Sequence, residues 1–177
     1  MRYRRLGNSG IKIPEMTLGT ATFGGVGEIF KDWGNTQLQE AKELVSISLE
    51  YGANAFDTAD CYSSGKAEEI LGEAIKSRRK EIFLATKTGM PMGTGINDSG
   101  TSFARILNAC EASLKRLQTD YIDLYYFHSF DALTPMEEML RAIEILITQG
   151  KIRYFGVSNY SAWHLMKMLS ICEKYNL

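Results

Sequence analysis

The sequence predicts an α/β fold built on a parallel sheet or barrel, and three observations point to it. Five short apolar runs alternate with five helical patterns along the 177-residue chain, which is the strand and helix order of parallel α/β proteins. The runs are apolar on both faces, as strands covered by helices are. Polar side chains recur at the point where these runs end.

The composition is that of a globular protein with one sizeable core. Apolar residues make up 45% of the chain, and 20 basic residues nearly balance 21 acidic ones. The basic residues are interspersed with acidic ones and form no basic stripe of the kind that follows a nucleic-acid backbone. The chain has no apolar signal segment and no run of about 18 apolar residues that could span a membrane. We expect a cytoplasmic protein without nucleic-acid binding or membrane insertion.

The three cysteines are far apart in the sequence. Cys61, Cys110 and Cys172 match neither the spacing of a zinc site nor an even-numbered disulfide framework. We therefore expect reduced thiols and no metal site.

The first predicted element is a small hairpin within residues 1–15. Residues 3–6 and 11–13 are extended runs on either side of a Gly/Asn turn, an arrangement typical of a hairpin. The five strands that follow are predicted at residues 16–20, 54–57, 82–87, 121–127 and 152–157.

Helical spacing of apolar residues predicts a helix after each of these strands. The apolar positions of the first four are Leu38, Ala41, Leu44, Val45 and Leu49; Ala67, Ile70, Leu71, Ala74 and Ile75; Phe103, Ile106, Leu107, Cys110, Leu114 and Leu117; and Met136, Met139, Leu140, Ile143, Leu146 and Ile147. A fifth helix is predicted at about residues 161–175, and its expected inward residues are Leu165, Met166, Leu169 and Cys172.

The fourth helix has the clearest predicted ends. Thr134 is a suitable N-cap, Pro135 fits the first helical position, and Glu137 would complete a capping box. Gly150 can take the left-handed conformation that ends a helix. The connection 89–101 is rich in Gly, Asn and Ser and long for a strand-to-helix loop, which predicts a mobile loop that is either plain surface or the rim of a site.

Polar side chains stand at the ends of four consecutive strands. They are Asp57, Lys87, His128 and the pair Ser158 and Asn159. The carboxyl ends of parallel strands face one side of the fold, where ligand sites are built. Each residue alone has an ordinary structural explanation, but burying a charged pair without a purpose costs several kcal/mol. We therefore expect these side chains to converge.

Tyr62 lies shortly after Asp57 in the segment FDTADCY and could reach the same site. An ammonium favours the charged form of a neighbouring phenol. Lys87, held charged by Asp57, would thereby make Tyr62 a proton donor near neutral pH. His128 would add a second hydrogen-bonding group that orients or polarises a carbonyl.

From residue 3 to the last residue, the sequence resembles the aldo-keto reductases. The matching segments, in the family's order, are YRRLGNSGIKIPEMTLGTATFGG, EYGANAFDTADCY, GKAEEILGEAI, FLATKTG, SLKRLQTDYIDLYYFH and GKIRYFGVSNYS. The resemblance implies a TIM-type (β/α)8 barrel in which a nicotinamide cofactor, usually NADPH, passes hydride to an aldehyde or ketone. A Rossmann fold fits less well, because the glycines of GTATFGGVG lack the G-x-G-x-x-G spacing.

The resemblance also assigns roles to individual residues. It implies a catalytic tetrad of Asp57, Tyr62, Lys87 and His128, with Tyr62 as the general acid. The residues that it implies for cofactor binding are Gly19, Thr20, Asp57, Ser158 and Asn159.

One branch of the family offers an alternative to catalysis. The segment YSSGKAEEILG resembles the branch that contains bacterial reductases and the potassium-channel β-subunits. A non-catalytic, cofactor- or partner-binding subunit is therefore the alternative to a reductase of small carbonyl substrates. Those subunits depart from the tetrad at the position of His128, and its presence here favours an enzyme.

The length predicts an incomplete barrel. A (β/α)8 barrel typically takes about 250 residues, whereas this sequence ends after the fifth predicted helix. We expect one incomplete barrel domain in residues 1–177, with the hairpin in 1–15 and five strand–helix units in 16–177. The inner faces of the strands should be open to water, and the sheet edges should be unpaired. We therefore expect either a homo-oligomer whose copies cover each other's edges or a sequence cut from a longer reductase. Most of the family's cofactor contacts come from later units, so weak cofactor binding or an inactive half-barrel is also expected.

Overall fold

The computed structural model describes residues 1–175, and it begins with the predicted hairpin. Strand β1 (Tyr3–Arg5) pairs antiparallel with β2 (Lys12–Pro14). A separate sheet of five parallel strands follows, with its strands adjacent in chain order. These strands are β3 (Thr17–Gly19), β4 (Ala55–Asp57), β5 (Phe83–Thr88), β6 (Ile122–Phe127) and β7 (Ile152–Val157).

A helix follows each of the five parallel strands. The helices are α1 (Leu38–Glu50), α2 (Lys66–Ile75), α3 (Phe103–Leu117), α4 (Met136–Thr148) and α5 (Ala162–Tyr175). The predicted α/β fold is thereby confirmed, and the ends of the five strands lie within one residue of the prediction. No helix in residues 1–175 is both long enough and apolar enough to cross a membrane.

The main core lies between the sheet and the helices. Its largest fully buried side chains include the aromatic residues Tyr125, Phe23, Phe56 and Phe127. The strands supply β-branched and aromatic residues to this layer, and the helices supply the apolar stripes that their spacing predicted. Because the five strands are parallel, their carboxyl ends lie together at one end of the sheet.

The inner face of the sheet is less open than the sequence predicted. Its four central residues, Ala55, Phe83, Ala85 and Leu124, are all at most 8% exposed. Side chains from the hairpin region and two tyrosines cover them, namely Leu6, Ile11, Ile13, Tyr126 and Tyr154. The expectation of a large open apolar patch was therefore wrong for these four residues, because the hairpin region and the two tyrosines pack against them.

The start of α4 differs from the prediction. Pro135 occupies the N-cap position, and no side chain caps this end. Thr134 instead donates its hydroxyl to Asp131 Oδ2 at 2.8 Å, so the predicted capping box with Glu137 was wrong. The carboxylate of Asp131 competes successfully for Thr134, because it already organises this loop through the backbone N–H of Leu133. Gly150 does adopt the predicted left-handed conformation, with φ of 72°.

The inward face of α5 was predicted wrongly for three of its four residues, whereas Cys172 is partly buried and packs against the core as expected. Leu165, Met166 and Leu169 are 41%, 64% and 47% exposed, whereas Met168 and Ile171 are buried. Apolar residues run around much of this helix, so spacing alone does not identify one face. Among the described elements α5 packs on α4, and that contact covers only the side that carries Met168 and Ile171.

The connection 89–101 is anchored at its base by hydrogen bonds. Gly100 N donates to Gly89 O at 2.9 Å, and Thr101 N donates to Asp131 Oδ2 at 2.8 Å. Within the loop, Met92 N donates to Asp98 O at 3.0 Å. The loop is therefore folded on itself and tied to the segment that follows β6.

Candidate active site

The strand register brings the predicted site residues next to one another. In the ladder between β3 and β4, Gly19 pairs with Asp57. Lys87 lies two residues beyond the partner of Asp57 on β5. His128 directly follows β6, and its backbone N donates to Thr88 O at 2.8 Å. The carboxyl ends of the strands thus lie together at one end of the sheet, as the sequence predicted.

Lys87 lies at the centre of this site. Its side chain is 10% exposed, and its Nζ donates to Asp57 Oδ2 at 2.5 Å, to Thr58 O at 2.8 Å and to the Tyr62 phenol oxygen at 3.3 Å. An ammonium has three N–H groups, so each one has an acceptor. This network fixes a positive charge beside the phenol and joins three of the four predicted catalytic residues.

Tyr62 is held by an unusual stretch of backbone. It begins a short three-ten turn, Tyr62–Gly65, in which Ser63 and Ser64 have φ of 49° and 54° and Gly65 has φ of 91°. Left-handed residues other than glycine each cost on the order of 1–3 kcal/mol. The Ser63 hydroxyl, which is buried, donates to Phe23 O at 2.7 Å and stabilises the turn. Such strain is typical of functional sites, where the surrounding structure enforces one side-chain position.

Two rings flank the Tyr62 phenol. The centroid of Phe30 lies 5.5 Å from that of Tyr62, and the imidazole of His128 lies 5.6 Å from it in an edge-on arrangement. Burial, reinforced by the charge of Lys87, lowers the pKa of His128 to about 4. The imidazole is therefore neutral at pH 7 and carries one N–H group. The structure thus brings all four predicted catalytic side chains together.

Asp57 experiences two opposing influences. Burial raises its pKa above the usual value, and the charge and hydrogen bond of Lys87 oppose this rise. The carboxylate side chain remains 29% exposed, so it is only partly removed from water. It is therefore suited to hold Lys87 in place, because it balances the charge of the ammonium.

The two residues predicted at the end of β3 have different surroundings. Gly19 has open space beside it, since a Cβ built there would meet no atom within 4 Å. Thr20 is fully buried, and both its N and its Oγ1 donate to Asp57 O, at 2.9 and 3.2 Å. Gly19 therefore leaves room for a ligand, whereas Thr20 holds the backbone carbonyl of Asp57 through its two hydrogen bonds.

Ser158 and Asn159 lie at the end of β7, next to His128. Ser158 N donates to Phe127 O at 2.9 Å, which continues the strand pairing. Asn159 is left-handed, with φ of 58°, a conformation that asparagine tolerates better than most residues. Its Nδ2 donates to His128 O at 2.7 Å and to Ser158 Oγ at 3.1 Å. This pair is thus connected directly to the backbone of the tetrad.

Sequence reasoning missed Cys61, which contacts a residue of this site, and Asp60, a buried acid two residues before Tyr62. The Sγ of Cys61 lies 3.5 Å from His128 Nδ1. Asp60 is 1% exposed, and its Oδ2 accepts hydrogen bonds from Thr88 Oγ1 at 2.8 Å and Arg105 Nη2 at 3.2 Å. Burial raises the pKa of Asp60 to about 6. The only signal in the sequence was their position between Asp57 and Tyr62 in the segment FDTADCY.

Two cavities lie near these residues. A cavity of about 280 Å³ on the inner face of the sheet is lined by Gly19, Asp57 and Tyr126, among others. A larger one of about 520 Å³ lies between the connection 89–101 and α3, outside the sheet. Met92, Asn97 and Asp98 of that connection line the outer cavity. In residues 1–175 no three His, Cys, Asp or Glu side chains are grouped as a metal site requires.

Two curated relatives match the whole length of this chain. Both are named probable voltage-gated potassium channel subunit beta, one from Arabidopsis thaliana at 37% identity and one from Oryza sativa subsp. japonica at 36% identity. Each match covers 100% of this chain and 52% of the relative. The chain therefore spans about half the length of these curated relatives.

The fold is also that of a solved structure. The aldo-keto reductase AKR11C1 from Bacillus halodurans, in its holo form, superposes with a TM-score of 0.82 at 36% identity. The superposition covers 96% of this chain and 54% of that one, so the five strand–helix units correspond to part of a (β/α)8 barrel. The model of the Aldo/keto reductase family matches residues 15–175. On these grounds, this chain belongs to the aldo/keto reductase family.

Proposed function

We propose that this chain carries the proton-donating residues of a reductase. That enzyme would convert aldehydes or ketones to alcohols with hydride from NADPH. The family is one of oxidoreductases, which supports the reaction class. The observation that carries the proposal is the position of Lys87 Nζ, 2.5 Å from Asp57 Oδ2 and 3.3 Å from the Tyr62 phenol oxygen. That arrangement suits proton donation to an oxygen atom.

In the proposed reaction Tyr62 is the general acid. Its phenol donates a proton to the carbonyl oxygen of the substrate, while the Lys87 ammonium stabilises the phenolate that remains. Asp57 holds Lys87, and neutral His128 donates a hydrogen bond that polarises the carbonyl. When bound, NADPH supplies the hydride that the carbonyl carbon accepts. Hydride and proton together reduce C=O to an alcohol.

The residues that we propose for cofactor binding fit the nicotinamide end of NADPH. Gly19 borders open space, and it lines the inner cavity together with Asp57. Ser158 and Asn159 supply a hydroxyl and a carboxamide beside His128, which match the hydrogen-bonding groups of a nicotinamide carboxamide. Thr20 contributes to the proposed cofactor site as a support for Asp57, because its N and its Oγ1 both donate to Asp57 O. The preference for NADPH over NADH rests on membership of the family.

A tyrosine substitution tests the role of Tyr62. We expect Tyr62→Phe to lower aldehyde reduction by about 10²- to 10⁴-fold, the usual effect of lost acid catalysis, without changing NADPH binding. Product formation from an aromatic aldehyde would be measured at high protein concentration, and NADPH binding by quenching of tryptophan fluorescence. Tyr51→Phe is the matched control, because Tyr51 is 74% exposed. If the wild type forms product and Tyr62→Phe forms it at the same rate, Tyr62 is excluded as the acid.

A non-catalytic subunit is the second candidate. It is favoured by the names of the two plant relatives, which are potassium channel β-subunits at 37% and 36% identity. In that case the chain would bind a partner or sense the cofactor without turning over any aldehyde. The same assay separates the candidates, since saturable NADPH binding without product formation would favour the subunit.

We also propose that residues 1–177 form one incomplete barrel domain that acts in the cytoplasm, with the hairpin packed on the inner face. The contacts of Leu6, Ile11 and Ile13 with the inner residues of the sheet support a single unit. An inactive oligomeric half-barrel would give neither product nor saturable NADPH binding. That outcome would contradict both the reductase and the cofactor-sensing subunit.

A further inference from the structure

Cys61 is the one cysteine that contacts a predicted catalytic side chain within residues 1–175. It immediately precedes Tyr62, and its Sγ lies 3.5 Å from His128 Nδ1. A sulfur atom hydrogen-bonds at longer distances than oxygen, so this separation is compatible with a weak hydrogen bond. The contact matters because it involves the ring nitrogen of His128 that determines where the single proton of a neutral imidazole resides.

The direction of this hydrogen bond follows from the protonation states of the two groups. Burial, together with the negative charge of Asp60, raises the pKa of Cys61 to about 12. The thiol therefore keeps its proton at neutral pH. The imidazole is neutral as well, since the pKa of His128 is about 4. An imidazole nitrogen is a much better acceptor than a thiol sulfur, which accepts only weakly, so Cys61 donates and His128 Nδ1 accepts.

We propose that Cys61 is a positioning residue that fixes His128 as the tautomer with its proton on Nε2. No group in residues 1–175 hydrogen-bonds Nε2, and this atom is not among the fully buried unpaired atoms, so it retains contact with solvent. Cys61 would thus direct the N–H of His128 toward the open side of the site. The consequence for catalysis, a hydrogen bond from Nε2 to the substrate carbonyl, rests on the proposed reductase function.

The tautomer can be measured directly, without substrate or cofactor. Long-range ¹H–¹⁵N spectra of the purified chain distinguish a protonated from an unprotonated imidazole nitrogen. The sequence contains only two histidines, so His164→Gln identifies the signals of His128. At pH 7 we expect His128 Nε2 to carry the proton and Nδ1 to be unprotonated. A proton on Nδ1 of the wild-type chain would overturn the proposal.

Substitutions at Cys61 test the cause. Cys61→Ala removes the donor, and we expect a Nδ1-protonated population of His128 to appear. Cys61→Ser retains a donor and should restore the wild-type signals. Cys172→Ala is the matched control, because Cys172 is a half-buried cysteine on α5. An unchanged His128 spectrum in Cys61→Ala would overturn the proposal. If that variant does not fold, Cys61→Val serves instead, because it also removes the donor, and an unchanged His128 spectrum in Cys61→Val would overturn the proposal equally.

A kinetic measurement separates positioning from mere packing. If the reductase function holds, kcat for an aldehyde should fall about three- to tenfold in Cys61→Ala and recover in Cys61→Ser, with NADPH binding unchanged. This is less than the roughly 10²–10³-fold effect of removing an oxyanion donor completely, because His128 itself remains. Failure of the reductase function would abolish the kinetic effect in all variants but leave the tautomer result intact, so the two failures are distinguishable.

Discussion

Asp60 is a buried acid whose ionisation the fold opposes. Burial raises its pKa from 3.8 to about 6, so between these values the folded chain binds a proton that the unfolded chain releases. The free energy of unfolding therefore falls as the pH rises from about 4 to 6. A change of this size corresponds to about 3 kcal/mol. The stabilisation from protonated Asp60 is complete below pH 4 and lost above the folded pKa.

Asp60→Asn tests this dependence, because an amide cannot ionise. We expect the variant to gain about 2–3 kcal/mol relative to the wild type between pH 4 and pH 7.5. Urea unfolding at both pH values would provide the comparison. Loss of the contact with Arg105 changes the free energy of unfolding of the variant by the same amount at every pH. The difference in pH dependence between the variant and the wild type therefore still reports on the ionisation of Asp60. Asp120→Asn, at an exposed acid, is the control, and parallel pH profiles of Asp60→Asn and wild type would contradict the prediction.

Single residues of the site differed in how well the sequence could reveal them. Lys87 and His128 were found because a polar residue at the end of an apolar strand is conspicuous. The contact from Thr58 was not predictable, since its backbone carbonyl accepts the hydrogen bond and any residue could supply it. Cys61 was missed because its contact with His128 depends on how two loops approach each other.

At the scale of elements, α2 and α3 approach closely at Gly72. A Cβ at this position would lie 2.7 Å from the backbone of Arg116 and Leu117. Alanine normally stabilises a helix by about 1 kcal/mol relative to glycine, but overpacking against another backbone costs about 1–3 kcal/mol. The clash should prevail here, because backbone atoms cannot rotate out of the way.

We therefore expect Gly72→Ala to lower the free energy of unfolding by about 1–2 kcal/mol. Urea unfolding followed by circular dichroism would measure the change. Gly10→Ala serves as the control, because a Cβ there meets no atom within 4 Å and φ is not left-handed. A stabilised Gly72→Ala chain would mean that α3 moves away from α2 at little cost.

The elements themselves were predicted more accurately than their caps and faces. The five strands of the sheet were found because each is a short apolar run between polar turns. The start of α4 was placed one residue early, because the hydroxyl of Thr134 donates to Asp131 in the preceding loop and does not cap the helix. The face of α5 was misjudged, because its apolar residues point in several directions and only the packing against α4 selects one.

At the scale of the whole molecule, β3 and β7 are the outermost strands of the sheet in the part of the chain that the structure describes. Exposed apolar side chains on α5, which directly follows β7, add to the surface that a second copy could cover. Trp163, Met166 and Leu169 are 62%, 64% and 47% exposed. Unpaired strand edges beside apolar surface favour association. We therefore propose that the chain forms a homo-oligomer through the β7 edge and α5.

Light scattering at a series of concentrations tests this proposal. We expect the mass of the wild-type chain to rise with concentration, and Met166→Lys to reduce association, because a lysine in a covered apolar surface must be desolvated. Ile96→Lys is the matched control, since Ile96 is 96% exposed on the connection 89–101. A monomer at every concentration, or equal effects of both lysines, would contradict the proposal.

The order of the strands also implies that the residues of the site differ in their resistance to local unfolding, according to the strand that carries them. Lys87 lies on β5, which has a neighbour on each side and is buried along its whole length. Ser158 and Asn159 follow β7, which is half-exposed and, within residues 1–175, pairs on one side only. Edge strands open more readily than central ones, so amide hydrogens at the end of β7 should exchange well before those of β5. Transient opening would then release the groups proposed to hold the nicotinamide while the proton-donating network stays assembled.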